Sequence, residues 1–404
     1  MKKHAGRSFP TLDDLHVAHK RVLVRMDINV PMEAGRVTDN TRVVRQLPTI
    51  KELLKKKAKI IILSHLGRPR GQYVPDLSLA PLVDTLSQAL KGVTIKFGVD
   101  CIGEEANEAV ATLKAGEILL LENVRFHAGE EKNDPAFAKA LAAHGEVYIN
   151  DAFSCSHRAH ASVVGLPKYL PCAAGRLMEE ELAKLHELFD APKRPFTAIV
   201  GGSKVSTKLE LLENLIGKVD NLVIGGAMAN TFLLAQGSSV GKSLVETGLK
   251  TTALRILKAA QKKGCTIILP QDVIVSSFSD ATAPTAMVPI SKIPAAEMIL
   301  DMGNESIHKV AECLSYSKTV IWNGPMGVFE TRPFDVATLM IAREIARLTH
   351  AGKIKSIAGG GDTVAALGLA RLSDSFSYVS TAGGAFLEWM EGKVLPGVKA
   401  LQAA

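Results

Sequence analysis

The sequence predicts an α/β protein with mainly parallel sheets, divided into two domains. Three observations carry that expectation. Short β-branched runs alternate with amphipathic stretches along the chain. Several of those runs end in glycine pairs. Halfway along, a charged helical stretch meets a proline-rich break. A chain of 404 residues has room for two or three cores, and 47% hydrophobic with 22% charged residues is ordinary globular composition.

In the first half, strands are expected at 21–25, 59–63, 117–121 and 146–149, with amphipathic helices at 47–57 and 135–144. In parallel sheets, ligands collect beyond the carboxyl ends of strands. The polar residues of this half fall there. Asp27, Asn29 and Pro31 follow the first run; Ser64, His65, Gly67, Arg68 and Pro69 follow the second. Glu122, Asn123 and Arg125 follow the third, and Asn150, Asp151 and His157-Arg158-Ala159-His160 the fourth. Arg42 stands in Asp39-Asn40-Thr41-Arg42, which reads as a helix start. Arginines at successive strand ends converge on one crevice, and a bound anion relieves their repulsion. His65 reads as a hydrogen-bond donor to such an anion. His157 and His160, three apart, have no carboxylate or cysteine nearby in a ligand pattern, which argues against a metal site.

The joint is expected over 174–190 as one helix, with Leu177, Leu182, Leu185 and Leu188 among charges. Ala-Pro-Lys-Arg-Pro at 191–195 stops it. Lys55-Lys56-Lys57 reads as a solvated helix end.

The second half repeats the grammar. Residues 198–200 read as a strand, Gly201-Gly202 as a turn, and a helix is expected to open near Ser203, placing Lys204 and Lys208 on one face. The G-x-x-x-x-G-K-[ST] loop is absent. Further runs end at Gly225-Gly226, Gly359-Gly360-Gly361 and Gly383-Gly384, and 319–322 leads into Asn323 to Glu330. Glycine turns opening helices present free amides, so they suit nucleotide phosphates. Asp362, in the turn ending at Thr363, suits Mg²⁺.

Bulk properties narrow the field. A net charge of +7 favours anionic partners. Five scattered cysteines without a C-x-x-C pair argue against structural zinc or a disulfide framework, so a reducing cytoplasm is the expected compartment. The N-terminus has no apolar signal core, and no run reaches membrane-spanning length, so no membrane partner is expected. A dinucleotide oxidoreductase would need G-x-G-x-x-G in the first βα turn, which is missing. Nucleic-acid binding is disfavoured by dispersed basic residues and only 5% aromatics.

The motifs RMDINVP (25–31), TDNTR (38–42), SHLGRP (64–69), LLENVRFHAGEEKND (120–134), NDAFSCSHRAHAS (150–162), GGSKVSTKL (201–209), GGAMANTF (225–232), WNGPMGVFE (322–330), GGGDT (359–363) and GGAFLEWMEGKVLPG (383–397) occur in that order. Together they resemble phosphoglycerate kinases, over nearly the whole chain. The resemblance implies two Rossmann-like doubly wound domains joined by a hinge helix. Residues 1–175 would bind 3-phosphoglycerate, 176–195 form the joint, 196–389 bind MgADP or MgATP, and 390–404 pack back on the first domain. Asp27, Asn29, Arg42, His65, Arg68, Arg125 and Arg158 match the family's phosphoglycerate residues. Lys208, Gly225, Gly226, Gly303, Asn323, Glu330, Gly360, Gly361, Asp362 and Thr363 match its nucleotide residues, with Asp362 the magnesium carboxylate. Arg42, Lys204, Gly361 and Gly384 match groups at the transferring phosphoryl. The implied enzyme is a glycolytic monomer that closes its domains over the site. Three departures stand out: Ser154-Cys155-Ser156 for a usual Gly-Thr-Ala, Asn304 where proline is common, and Ala382 for a glycine, where a Cβ would strain a positive φ.

Overall fold

The computed structural model describes residues 9–280, 282 and 284–403. The chain divides into two compact units: one runs to Ala183 and resumes at Val394, and the other spans Lys184–Lys393.

The first unit holds a six-stranded parallel sheet ordered Ile95–Gly98, Ile118–Leu121, Lys59–Leu63, Arg21–Arg25, Val147–Asn150, Cys172–Ala174. The central strands are continuous apolar runs because helices cover both faces of a parallel sheet. Val22, Leu23, Val24 and Ile60 to Leu63 are fully buried. In this register Arg25 lies beside Leu63 and Asn150, so the polar segments after these strands leave the sheet along one edge. The helix Thr41–Lys55 packs below that edge, and Asp39 accepts hydrogen bonds from the amide and hydroxyl of Thr41 at its start.

The two outer strands carry no strong sequence signal. Ile95–Gly98 is only half-buried, and Cys172–Ala174 contains small residues with weak β preference. The second corrects the joint: Ala174 ends a strand, and the helix opens at Arg176 and runs to Leu185 before a wider turn over His186–Asp190. Sheet pairing wins because Gly175 donates from its amide to the carbonyl of Asn150 at 2.8 Å, extending the ladder one residue further. The short helix Pro396–Gln402 also belongs to this unit, and Gly397 donates to the carbonyl of Ser156 at 2.8 Å.

The second unit has its own six-stranded parallel sheet, ordered Thr266–Ile268, Asn221–Ile224, Phe196–Val200, Thr319–Asn323, Lys355–Gly359, Tyr378–Ser380. A small antiparallel sheet of Ala286–Pro289, Asp272–Ser276 and Met298–Met302 is added to it, with its own apolar cluster around Val273, Val275 and Ile293. Among the described residues no helix is long and apolar enough to cross a membrane.

One local expectation fails here. No helix opens near Ser203. A short turn forms at Ser206–Lys208 and the α-helix covers Leu209–Leu215. Val205 is buried, Ser206 bonds through its amide and hydroxyl to Glu246, and Lys208 leaves helical geometry at φ −128°. Lys204 and Lys208 therefore do not share a helical face.

Candidate active site

In the first unit the cations gather around two histidines. Arg25 is fully buried and divides its guanidinium among Ser162 Oγ at 2.8 Å, the carbonyl of Met26 and His65 Nδ1 at 3.0 Å. A guanidinium can only donate, so His65 Nδ1 accepts and its proton sits on Nε2. Burial, then the charges of Arg25 and Arg125, hold the His65 pKa well below the ordinary value. His65 is thus a neutral donor through Nε2. His160 is driven down to about 3, first by burial and then by Arg125, Arg25 and Arg158.

Asp27 is set by Gln46, whose amide group accepts from the Asp27 amide at 2.9 Å and donates to its carbonyl at 2.6 Å. Asp27 in turn receives Arg42 at 3.1 Å and the hydroxyl of Ser154. Arg42 also donates to the carbonyl of Asn29 at 3.1 Å, while the Asn29 side chain accepts from the Gly67 amide at 3.0 Å. Arg125 donates to the Gly67 carbonyl at 2.8 Å. Its pKa is lowered by burial and then by Arg25, with Arg158 adding to the push. The charges of Arg25 and Arg125 therefore act on both His65 and His160, with Arg42 acting on His65 and Arg158 on His160. Arg68 is exposed.

Repulsion is offset from beneath. Glu130 is fully buried, accepts from the Ser162 amide at 2.8 Å and hydroxyl at 2.6 Å, and attracts Arg25. Burial works against the Arg25 charge, yet Cys155, Glu130 and Asp27 leave its pKa above the ordinary value. The sequence signal for this support was slight: an arginine closing an apolar strand, and one glutamate in a polar run. Arg125 Nε and His160 Nδ1 are among the buried polar atoms with no hydrogen-bond partner, and each faces a carboxylate at longer range, Glu131 at 3.6 Å and Glu130 at 3.7 Å.

In the second unit the strand ends make a glycine-lined floor. Lys208 reaches in at 2.7 Å from the Gly201 carbonyl and also contacts the carbonyl and side-chain oxygens of Asn323. Burial pushes its pKa down to about 8, against the opposing charge of Asp362. Asn323 donates to the Gly359 carbonyl at 2.9 Å, and Thr363 Oγ1 accepts from the Gly324 amide at 2.6 Å. Gly360, at φ +96°, turns the chain into the helix Gly361–Leu369, and an added Cβ would press on the Asn323 amide. Asp362 stands exposed in that helix's first turn.

Two cavities meet this floor. One, of about 270 Å³, is lined by Lys208, Asn323, the residues from Gly360 to Thr363, and Gly384. The other, of about 420 Å³, has apolar walls from Met298, Leu300 and Met326, with Gly226, Glu330 and Asp362 at its edge. Asp362 is common to both. Gly225 and Gly303 line neither. A Cβ at Gly225 would strike the side chains of Met326 and Met302, and one at Gly303 the Asp272 carboxylate, so both positions are tightly packed. Lys204 is exposed and lines neither cavity.

The chain matches the family model described as phosphoglycerate kinase over residues 12–393. The chain belongs to the phosphoglycerate kinase family. It is 57% identical over 396 residues to the phosphoglycerate kinase of Methylorubrum extorquens (strain PA1), covering 98% of this chain and 99% of the relative. The Cereibacter sphaeroides (strain ATCC 17029 / ATH 2.4.9) protein of that name is 56% identical, over 97% and 98% of the two chains. Among solved structures, the phosphoglycerate kinase of Coxiella burnetii superposes with a TM-score of 0.90 at 41% identity, covering 98% of this chain and 99% of that one. The Pyrococcus horikoshii enzyme gives 0.79 at 29%, covering 97% and 98%. The chain is accordingly a phosphotransferase.

Against the family pattern, the three departures fit their surroundings. Ala382 avoids positive φ, which falls instead on Gly383 at +55°. Asn304 is the first residue of its helix, where proline is favoured because no intrahelical bond needs its amide, and asparagine costs no such bond either. Ser154 bonds to Asp27, Cys155 is buried beside Arg25, and the Ser156 carbonyl receives the C-terminal helix.

Proposed function

We propose that the chain transfers a phosphoryl group reversibly from the acyl phosphate of 1,3-bisphosphoglycerate to ADP, giving 3-phosphoglycerate and ATP in the cytoplasm. The observation that carries this is the crowd of cations around a neutral His65, in a chain of this family. In this reading Asp27, Asn29, Arg42, His65, Arg68, Arg125 and Arg158 bind the phosphoglycerate. Lys208, Gly225, Gly226, Gly303, Asn323, Glu330 and the Gly360 to Thr363 turn bind the nucleotide.

In the ATP-consuming direction the 3-phosphoglycerate carboxylate attacks the γ-phosphorus. A new P–O bond forms as the bond to the β-phosphate oxygen breaks, and no proton has to move. That agrees with histidines held neutral by burial. Arg42, Lys204 and the amides of Gly361 and Gly384 stabilise charge spread over the equatorial oxygens. Asp362 fits Mg²⁺: it is an exposed carboxylate at the mouth of both cavities, and Mg²⁺ takes one or two carboxylates with water and phosphate oxygens. When bound, that ion would neutralise charge on the nucleotide phosphates.

Transfer would further require closure about residues 176–195, bringing Arg42 and Lys204 to one phosphoryl in a monomer. A coupled assay with 3-phosphoglycerate and MgATP tests the activity, and a purified chain without turnover would sink it. Small-angle scattering tests closure: both ligands together should compact the chain, and an unchanged radius of gyration would refute it.

A further inference from the structure

The first unit holds a second cluster that the proposed mechanism leaves unused. Asp100, Cys101 and His127 bring a carboxylate oxygen, a thiol sulfur and an imidazole nitrogen within 4.8 Å of one another. Asp100 and Cys101 follow the edge strand Ile95–Gly98, and His127 follows the turn Val124–Phe126. His127 Nε2 lies 2.6 Å from Asp100 Oδ1, and its ring stacks on Phe137 at 5.3 Å. Cys101 is fully buried, and its carbonyl is held by His144 Nε2 at 3.1 Å.

A similar trio, Asp27, His65 and Cys155, converges in the cation cluster. There the Arg25 guanidinium already bonds His65 Nδ1 at 3.0 Å and approaches Cys155 Sγ at 3.8 Å, so a cation is in place. Cys101 has the opposite surroundings. The charged group beside it is the Asp100 carboxylate, which His127 faces at 2.6 Å. A divalent cation would balance that negative field.

We propose that Asp100, Cys101 and His127 form a binding site for a borderline-soft divalent cation, Zn²⁺ foremost. Sulfur, nitrogen and oxygen donors suit zinc, and three protein ligands leave a fourth position for water on the side where Asp100 reaches solvent. On binding, the Cys101 S–H bond breaks and its proton passes to solvent as the S–Zn bond forms. His127 supplies the Nε2 lone pair with its proton on Nδ1, so its hydrogen bond to Asp100 gives way to two metal bonds. Ligand atoms on one tetrahedral zinc stand about 3.3 Å apart. The 2.6 Å pair must therefore widen, and Asp100, with 40% of its side chain exposed, has the room. The bound ion would tie the loop at 99–101 to His127, two residues from Arg125.

The test uses the full chain, stripped with chelator and reductant, then titrated with Co²⁺ and afterwards with Zn²⁺. One equivalent of Co²⁺ should give a thiolate-to-cobalt charge-transfer band, which Zn²⁺ bleaches, and Zn²⁺ should raise Tm. Cys101→Ser should lose the band. Because that position is buried, the partly exposed His127→Gln is the second variant, and losing a ligand there should weaken Co²⁺ by at least the roughly 10- to 100-fold that losing an outer-shell partner costs. No band in the parent chain would overturn the site. So would a band of unchanged affinity in His127→Gln, which would assign the metal to another thiol.

Discussion

In the first unit the positive field comes from long side chains: Arg25, Arg42, Arg125 and Arg158, braced by Asp27, Glu130 and Ser162. In the second it comes from one half-buried lysine, held by the carbonyls of Gly201 and Asn323, and from the free backbone amides that open the helix Gly361–Leu369. The chemistry of failure differs accordingly. Removing an arginine leaves its fold partners in place and deletes charge. Altering a glycine turn leaves charge in place and displaces the backbone. Side-chain sites can be emptied one residue at a time; backbone sites distort as a unit.

Arg42→Ala breaks the first half most sharply. On the proposed role, kcat should fall by about 10³-fold while ATP affinity by calorimetry is retained. A loss confined to KM would refute that role.

The two lysines sharpen the contrast. Lys204 is exposed, so Lys204→Ala should lower kcat by about 10²-fold and leave Tm unchanged. Lys208 is held by Gly201 and Asn323, so Lys208→Ala should lower Tm and nucleotide affinity together. Its pKa falls from 10.5 unfolded to about 8 folded, chiefly through burial. Between those values the unfolded chain binds the extra proton, so this lysine's contribution to stability rises with pH. ATP affinity should move the other way, falling above pH 8 as the charge is lost; a flat affinity profile would contradict the assignment.

Gly360→Ala should cost about 1–3 kcal/mol in urea unfolding, because φ is +96° and the Cβ meets Asn323. A pH-dependent effect concerns Asp151, which accepts from the Met178 amide at 3.0 Å beneath the helix Arg176–Leu185. Burial raises its pKa from 3.8 to about 7, so the folded chain holds the proton longer. Stability should therefore decline between pH 3.8 and 7, at no more than about 1.4 kcal/mol per pH unit. Asp151→Asn should flatten the slope, measured as Tm against pH.

Much of this was legible in the chain. Apolar β-branched runs identify central strands because burial on both faces demands them, and Lys59–Leu63 and Thr319–Asn323 lie where the pattern put them. Glycine turns ahead of the helices at Gly361 and Gly384 were equally plain. The strands Ile95–Gly98 and Cys172–Ala174 were not, since edge strands are half-buried or small and take their structure from a neighbour's hydrogen bonds. The antiparallel sheet around Val273 was also missed, although its middle strand, Asp272–Ser276, is a mostly buried β-branched run.

Local order is written in neighbours a few residues apart, and so the strands, the glycine turns and the inventory of cations could be read in one dimension. Burial is not local. Which of Lys204 and Lys208 enters the cavity, why Arg25 is sealed beneath His65 while Arg68 faces solvent, and which unit receives the last helix depend on residues tens to hundreds of positions away. Desolvation and hydrogen bonding at those distant contacts set each charge's environment, and the chain acquires them only on folding.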